Sequence, residues 1–202
     1  FDIAAASIDI GADSCTIKNI TLLPSVTIVT ILVDVETTRK FTLIEDVEVL
    51  DGEDGAGVDE PVLGIDLKVG VTRTIIKGYV YSVHASVAGA EAAVKLSGAS
   101  DKVWIENFWI YIVGGAAVAG IQGITTLSTN LTIKKGVVIT DGEPGIEVLT
   151  GTTGVIEDVD IFSDLATIAA ATVADGMAHF RVRYVEVGNE SDAVVKTASI
   201  DD

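Results

Sequence analysis

One six-residue pattern constrains this chain more than any other feature. It reads isoleucine, a charged residue, a small or amide residue, an apolar residue, any residue, and a second apolar residue. Clear copies are Ile17-Lys18-Asn19-Ile20-Thr21-Leu22, Ile44-Glu45-Asp46-Val47-Glu48-Val49, Ile76-Lys77-Gly78-Tyr79-Val80-Tyr81, Ile105-Glu106-Asn107-Phe108-Trp109-Ile110 and Ile156-Glu157-Asp158-Val159-Asp160-Ile161. Ile133-Lys134-Lys135-Gly136-Val137-Val138-Ile139 reads as a copy with one extra residue, and Val182-Arg183-Tyr184-Val185-Glu186-Val187 as a degenerate one. The copies are spaced by 27, 32, 29, 28, 23 and 26 residues. Recurrence at a period of this size is the mark of a stacked-repeat architecture.

A second alternating stretch precedes most copies by about ten residues: Ser7–Ile10, Ile31–Val35, Gly64–Val69, Ala93–Ser97, Gly120–Ile124 and Gly145–Leu149. Apolar and polar residues alternate in each, the period of a half-buried strand. A short polar corner separates it from the following copy, such as Gly11-Ala12-Asp13-Ser14 or Gly98-Ala99-Ser100-Asp101. Each repeat therefore reads as strand, corner, strand and variable return. Ala193–Thr197 is expected to add one more first strand. Only Ala166–Ala174 is compatible with a helix, and its β-branched residues weaken that reading. The expected fold is all-β, a right-handed, single-stranded parallel β-helix of seven to eight coils forming one domain over residues 1–202. The third pattern position (Asn19, Asp46, Gly78, Asn107, Asp158) is expected to bend the chain in left-handed geometry, which small and amide residues tolerate.

Charge narrows the partners. Thirty acids against 13 bases leave a formal charge of −17. That disfavours nucleic acid and anionic membranes, which call for a basic face. The single cysteine, Cys15, excludes an intramolecular disulfide and reads as a buried structural thiol. Residues 107–133 carry no charge, but Gly114, Gly115, Gly120 and Gly123 interrupt them, so two strands fit better than a membrane helix. Phe1 opens no signal peptide and is not an initiator Met, so an upstream segment is expected to have been removed or left out.

The repeats, the Gly-Ile strands, Ala6–Asn19 at the start and Ala174–Ala178, Asn189–Ser191 and Ser199–Asp202 at the end resemble the pectate-lyase-like parallel β-helix superfamily. Within it they are most similar to β-helical virion proteins of tailed bacteriophages. That resemblance implies a non-enzymatic structural protein: a capsid decoration, fibre or spike component at the virion surface. It further implies self-association, with a trimer favoured, and contacts to other virion or capsid proteins. The alternative on the same fold is a calcium-assisted polysaccharide lyase or depolymerase, or a glycan-binding module, secreted or on a cell surface.

Chemistry is sparse. No paired-carboxylate, phosphate-loop, dinucleotide or serine-hydrolase motif is present. The lyase alternative would take Arg39 and Arg73 as bases, placed in equivalent corners of consecutive repeats, with Arg181 and Arg183 as further bases. Asp34, Glu36 and Asp66 would be the acids. Calcium, the one cofactor considered, would fall on the acidic loop Asp51, Glu53, Asp54 and Asp59, where oxygen ligands and glycines suit it. His84 and His179 lie in different repeats and form no zinc set. Asn19, Asn130 and Asn189 match the glycosylation acceptor pattern, read as chance matches for the first two, which fall in or beside strands. Trp104, Phe108, Trp109, Tyr111, Tyr79 and Tyr81 cluster in two neighbouring repeats, and alternation sends some of them inward. Those facing out are candidates for a subunit contact or a sugar platform.

Overall fold

The protein, here a computed structural model, is described over residues 2–3, 8–24, 29–50, 61–84, 92–113, 119–123, 126–140, 145–149, 152–163, 180–182, 185–189 and 192–197. Every regular element within them is a β-strand. The acidic loop 51–60, the stretch 166–174, His179 and Arg183 lie outside the described residues.

The strands fall into two sheets. The smaller has six: β2 (Ile8–Ile10), β4 (Val29–Val35), β6 (Pro61–Leu67), β9 (Ala92–Leu96), β11 (Ala119–Gly123) and β13 (Ile146–Val148). The larger has eleven. Its main path runs through β1 (Asp2–Ile3), β3 (Thr16–Pro24), β5 (Leu43–Leu50), β7 (Ile75–Lys77), β10 (Trp104–Val113), β12 (Leu131–Thr140), β14 (Gly154–Ser163), β16 (Val185–Asn189) and β17 (Asp192–Thr197). Off that path, β8 (Val80–His84) pairs with β5 and β10, and β15 (Phe180–Val182) pairs with β14. From β1 to β14 the chain alternates between the sheets, except that β7 and β8 both lie in the larger, and strands pair in parallel with the equivalent strand of the next repeat, so the chain is a parallel β-solenoid.

The corner between the sheets is held by parallel bridges from Lys40 to Thr72, Thr72 to Asp101 and Asp101 to Thr129, so about four turns are complete rather than seven to eight. On either side the corner continues through single backbone hydrogen bonds, Ser14 N–H to the Lys40 carbonyl at 2.8 Å and Thr153 N–H to the Ser128 carbonyl at 3.0 Å. The last strand also departs from expectation. β17 is no further parallel rung; it folds back antiparallel on β16 in the larger sheet.

The pattern sets the register. Ile17, Ile44, Ile76, Ile105, Ile133, Ile156 and Val182 pair in one unbroken column. Among them Ile44, Ile76, Ile105, Ile133 and Ile156 are fully buried. Burial of each such side chain stabilises the fold by about 1.5–3 kcal/mol. The charged position beside it alternates in sign: Lys18, Glu45, Lys77, Glu106, Lys134, Glu157. Ion pairs link neighbouring rungs here, Lys77–Glu45 at 2.7 Å and Lys134–Glu106 at 3.1 Å.

The third position bends the strand as expected, with φ of 54° at Asn19, 51° at Asp46, 62° at Gly78, 53° at Asn107 and 54° at Asp158. Lys135 takes the same geometry at 53°. The copy at Ile133 therefore has no extra residue: Lys135 is its bend, and Gly136 stands opposite Phe108 in register. A Cβ on Gly136 would lie 2.3 Å from Phe108 Cζ, so the missing side chain is the space the ring fills. A second left-handed column, three residues ahead of the isoleucines, holds Ser14, Phe41, Arg73, Lys102 and Asn130. Such geometry costs an ordinary residue roughly 1–2 kcal/mol. Backbone N–H groups of the first four donate to carbonyls of the next corner, at 2.8, 3.2, 3.0 and 3.0 Å, and hold the geometry in place.

Inside, small and large residues face each other. A Cβ on Gly64 of β6 would lie 2.2 Å from Tyr79 Oη and 2.8 Å from Tyr81 Cε2. The Tyr79 hydroxyl crosses the core to donate to the Ala93 carbonyl at 3.1 Å, and Tyr81 donates to the Pro61 carbonyl at 3.5 Å. Burial holds the Tyr79 phenol well above its ordinary pKa. No helix among the described residues is long and apolar enough to cross a membrane.

Candidate functional site

The aromatic cluster divides by strand alternation. Tyr79, Tyr81 and Phe108 are buried core residues and offer no surface to a partner. Trp104 and Trp109 stand outward, 36% and 38% exposed, and Tyr111 is half-buried. The indole of Trp109 stacks on the Tyr111 ring, with centroids 5.8 Å apart and planes 6° from parallel.

Register widens this pair into a face. Glu48, Val80, Trp109, Val137 and Asp160 form one outward column, and Leu50, Ser82, Tyr111, Ile139 and Phe162 the next. Val80, Val137, Ile139, Leu50 and Phe162 are all half-buried, so an apolar area with an aromatic centre lies on the outside of the larger sheet. Sequence reasoning picked out the aromatics and missed the aliphatic residues. Their polar-position spacing in the pattern was the available signal, since an apolar residue there points outward.

Trp104 lies elsewhere, at the start of β10 beside the corner. With Lys102, Asn130, Thr132, Thr153, Gly154 and Val155 it lines a shallow groove of about 500 Å³. Trp104, Thr132 and Val155 are one column and run across three rungs, roughly 10 Å at the usual strand spacing. Asp101 organises the polar side. It accepts from Asn130 Nδ2 at 2.7 Å and Thr129 Oγ1 at 2.8 Å and pairs with Lys102 at 3.2 Å. The Asn130 hydrogen bond, then that of Thr129 and the Lys102 contact, hold its carboxyl below the usual 3.8. Thr153 Oγ1 accepts the Asn130 N–H at 3.2 Å.

The lyase residues do not assemble as expected. Lys40 is level with Thr72, so Arg73 is level with Phe41, and Arg39 is two residues out of step with Arg73. Arg73 instead lies over the Phe41 ring, 5.0 Å from its centroid, and Arg39 Nε donates to the Thr37 carbonyl at 3.1 Å. The acids do stack. Asp9, Asp34 and Asp66 share a column, but the cation between Asp34 and Asp66 is Lys68, which sequence reasoning passed over.

Burial raises the Asp34 carboxyl, Asp66, Glu36 and Asp9 add repulsion, and Lys68 only partly opposes them. For Lys68, burial works against the charge, but the Asp66 hydrogen bond and both carboxylates outweigh it and raise its pKa. Proton abstraction needs a neutral amine, so this lysine is set for ion pairing rather than base chemistry. Asp34 Oδ1 and Asp66 Oδ1 are buried and find no hydrogen-bond partner among the described residues. No group of three or more metal-capable side chains occurs among the described residues. Asp51, Glu53, Asp54 and Asp59 lie outside them.

Comparison with known proteins adds no relative: no family model matches the chain, and no curated protein or solved structure matches it significantly.

Proposed function

We propose that the chain is a non-enzymatic structural virion protein of a tailed phage, a rigid surface module that self-associates through the outer face centred on Trp109 and Tyr111. We take the solenoid as right-handed, the sense that parallel strand crossovers overwhelmingly adopt, and as pectate-lyase-like in its coil. The observation that carries the proposal is the apolar face itself. Contiguous apolar area on an otherwise charged surface marks a contact site, and a stacked aromatic pair at its centre is the kind of anchor that dominates interface energetics. A second copy is the occupant, and the resemblance favours three. An acidic rim, with Glu48 and Asp160 flanking Val80, Trp109 and Val137 in their column, would discourage adventitious anionic partners.

Light scattering on the purified chain tests the association. The expected result is a trimer at micromolar concentration that becomes monomeric in Trp109→Ser/Tyr111→Ser with unchanged strand content by circular dichroism. A wild-type chain that stays monomeric at every concentration removes the proposal. The virion assignment is tested by antibody labelling of tailed-phage particles, where absence of the chain from the particles refutes it. Incubation with polygalacturonate and calcium is expected to release no unsaturated product.

A further inference from the structure

We infer that the groove beside Trp104 is a binding site for a neutral pyranose sugar, separate from the self-association face and independent of it. Three observations converge. First, Trp104 is 36% exposed although it sits in a strand of the larger sheet, so the indole is presented to solvent at the groove rather than filling the core. An exposed indole gives the apolar C–H face of a sugar ring a flat partner.

Second, unused polar groups surround that platform. The Thr132 hydroxyl, next to Trp104 in register, makes no hydrogen bond among the described residues. The Thr153 hydroxyl accepts the Asn130 N–H and keeps its own proton to donate. Asn130 uses Nδ2 on Asp101 and leaves its amide oxygen to accept. A few fixed donors and acceptors around an aromatic surface are what orients a hydroxylated ring. Third, these groups are tied to one another and to the corner. Lys102 and Asn130 occupy the left-handed corner column, and Asp101 ties Lys102, Thr129 and Asn130 together across the rungs. Gly154 closes the far end without a side chain, because a Cβ there would lie 1.8 Å from the Leu131 carbonyl oxygen.

Charge selects among sugars. Lys102, the only cation among the described residues lining the groove, is already paired with Asp101, and the chain carries −17 overall. A uronate would meet no unpaired positive charge there, so neutral or N-acetylated pyranoses fit and polyuronates do not.

The test is fluorescence titration of the Trp109→Phe protein, in which Trp104 is the sole tryptophan, with chitotriose, cellotetraose and polygalacturonate fragments. We expect saturable quenching or a blue shift with at least one neutral oligosaccharide and none with polygalacturonate. Binding followed by calorimetry should weaken at least tenfold in Trp104→Ala. It should weaken several-fold in Thr132→Val, which keeps the strand and its volume but removes the hydroxyl. Trp109→Ser should bind as the wild type does. Absence of saturable binding by both neutral probes, stronger binding of polygalacturonate, or undiminished binding by a folded Trp104→Ala protein would each overturn the inference.

Discussion

Gly136 has no side chain because the Phe108 ring of the neighbouring rung occupies its Cβ position. Its backbone needs no left-handed geometry, so the requirement is purely one of volume. Gly136→Ala should therefore destabilise the fold by about 1–3 kcal/mol, the usual cost of overpacking a filled core. Phe108→Leu in the same chain should recover part of that loss, with a coupling of roughly 1 kcal/mol or more between the two sites. Urea unfolding of the two single variants and the double variant measures it, and additive losses would show that the contact is not the cause. Asp101 supports a different prediction. Its folded-state pKa lies below the ordinary 3.8, so its contribution to stability is present above that value and is lost as pH falls through the lower, folded-state value. The melting midpoint of the wild type should fall more steeply below about pH 4 than that of Asp101→Asn. Asp34, raised by burial, titrates with the opposite sign, since the folded state holds its proton more tightly. The difference between the two melting curves, rather than the wild-type curve alone, isolates Asp101.

Register is where sequence and structure meet for the strands. Alternation and the repeated isoleucine were enough to locate the rungs of the larger sheet and most of the smaller, and the amide and glycine residues at the third position announced the bend. The second bend column was illegible because Phe41, Arg73 and Lys102 carry no left-handed signature; the corner hydrogen bonds impose the geometry on them. β17 was misjudged because alternation sets the faces of a strand but not its direction. For the candidate site, Arg39 and Arg73 looked equivalent because corner lengths differ between repeats and the offset shows only in the pairing. The charge column was legible in retrospect: Lys18, Glu45, Lys77, Glu106, Lys134 and Glu157 alternate in sign along the chain. A slip of one rung would bring like charges together, so the column discriminates against misregistered stacking. Glu106→Lys would set three lysines side by side. Its melting midpoint should fall below that of Glu106→Gln, and the gap between them should narrow as added salt screens the repulsion. A gap that is insensitive to salt would mean that the column acts through packing instead.

At the scale of the whole molecule, a solenoid stabilises each rung mainly through its neighbours, so a contact along one outer face reinforces many rungs at once. That ties self-association to stability. If copies bind through the Trp109–Tyr111 face, the folded state is favoured by mass action, and unfolding must release the partners. At a free concentration one hundred times the dissociation constant this stabilises by about 2.7 kcal/mol. The melting midpoint of the wild type should therefore rise as the protein is concentrated, whereas that of Trp109→Ser/Tyr111→Ser should stay level. Both substitutions leave the buried side chains Tyr79, Tyr81 and Ile110 intact, so the two proteins should converge at high dilution. Calorimetry over a hundredfold concentration range separates this coupling from local packing. If the variant were less stable by the same amount at every concentration, Trp109 and Tyr111 would be acting within the coil, and the outer face would not be a subunit contact.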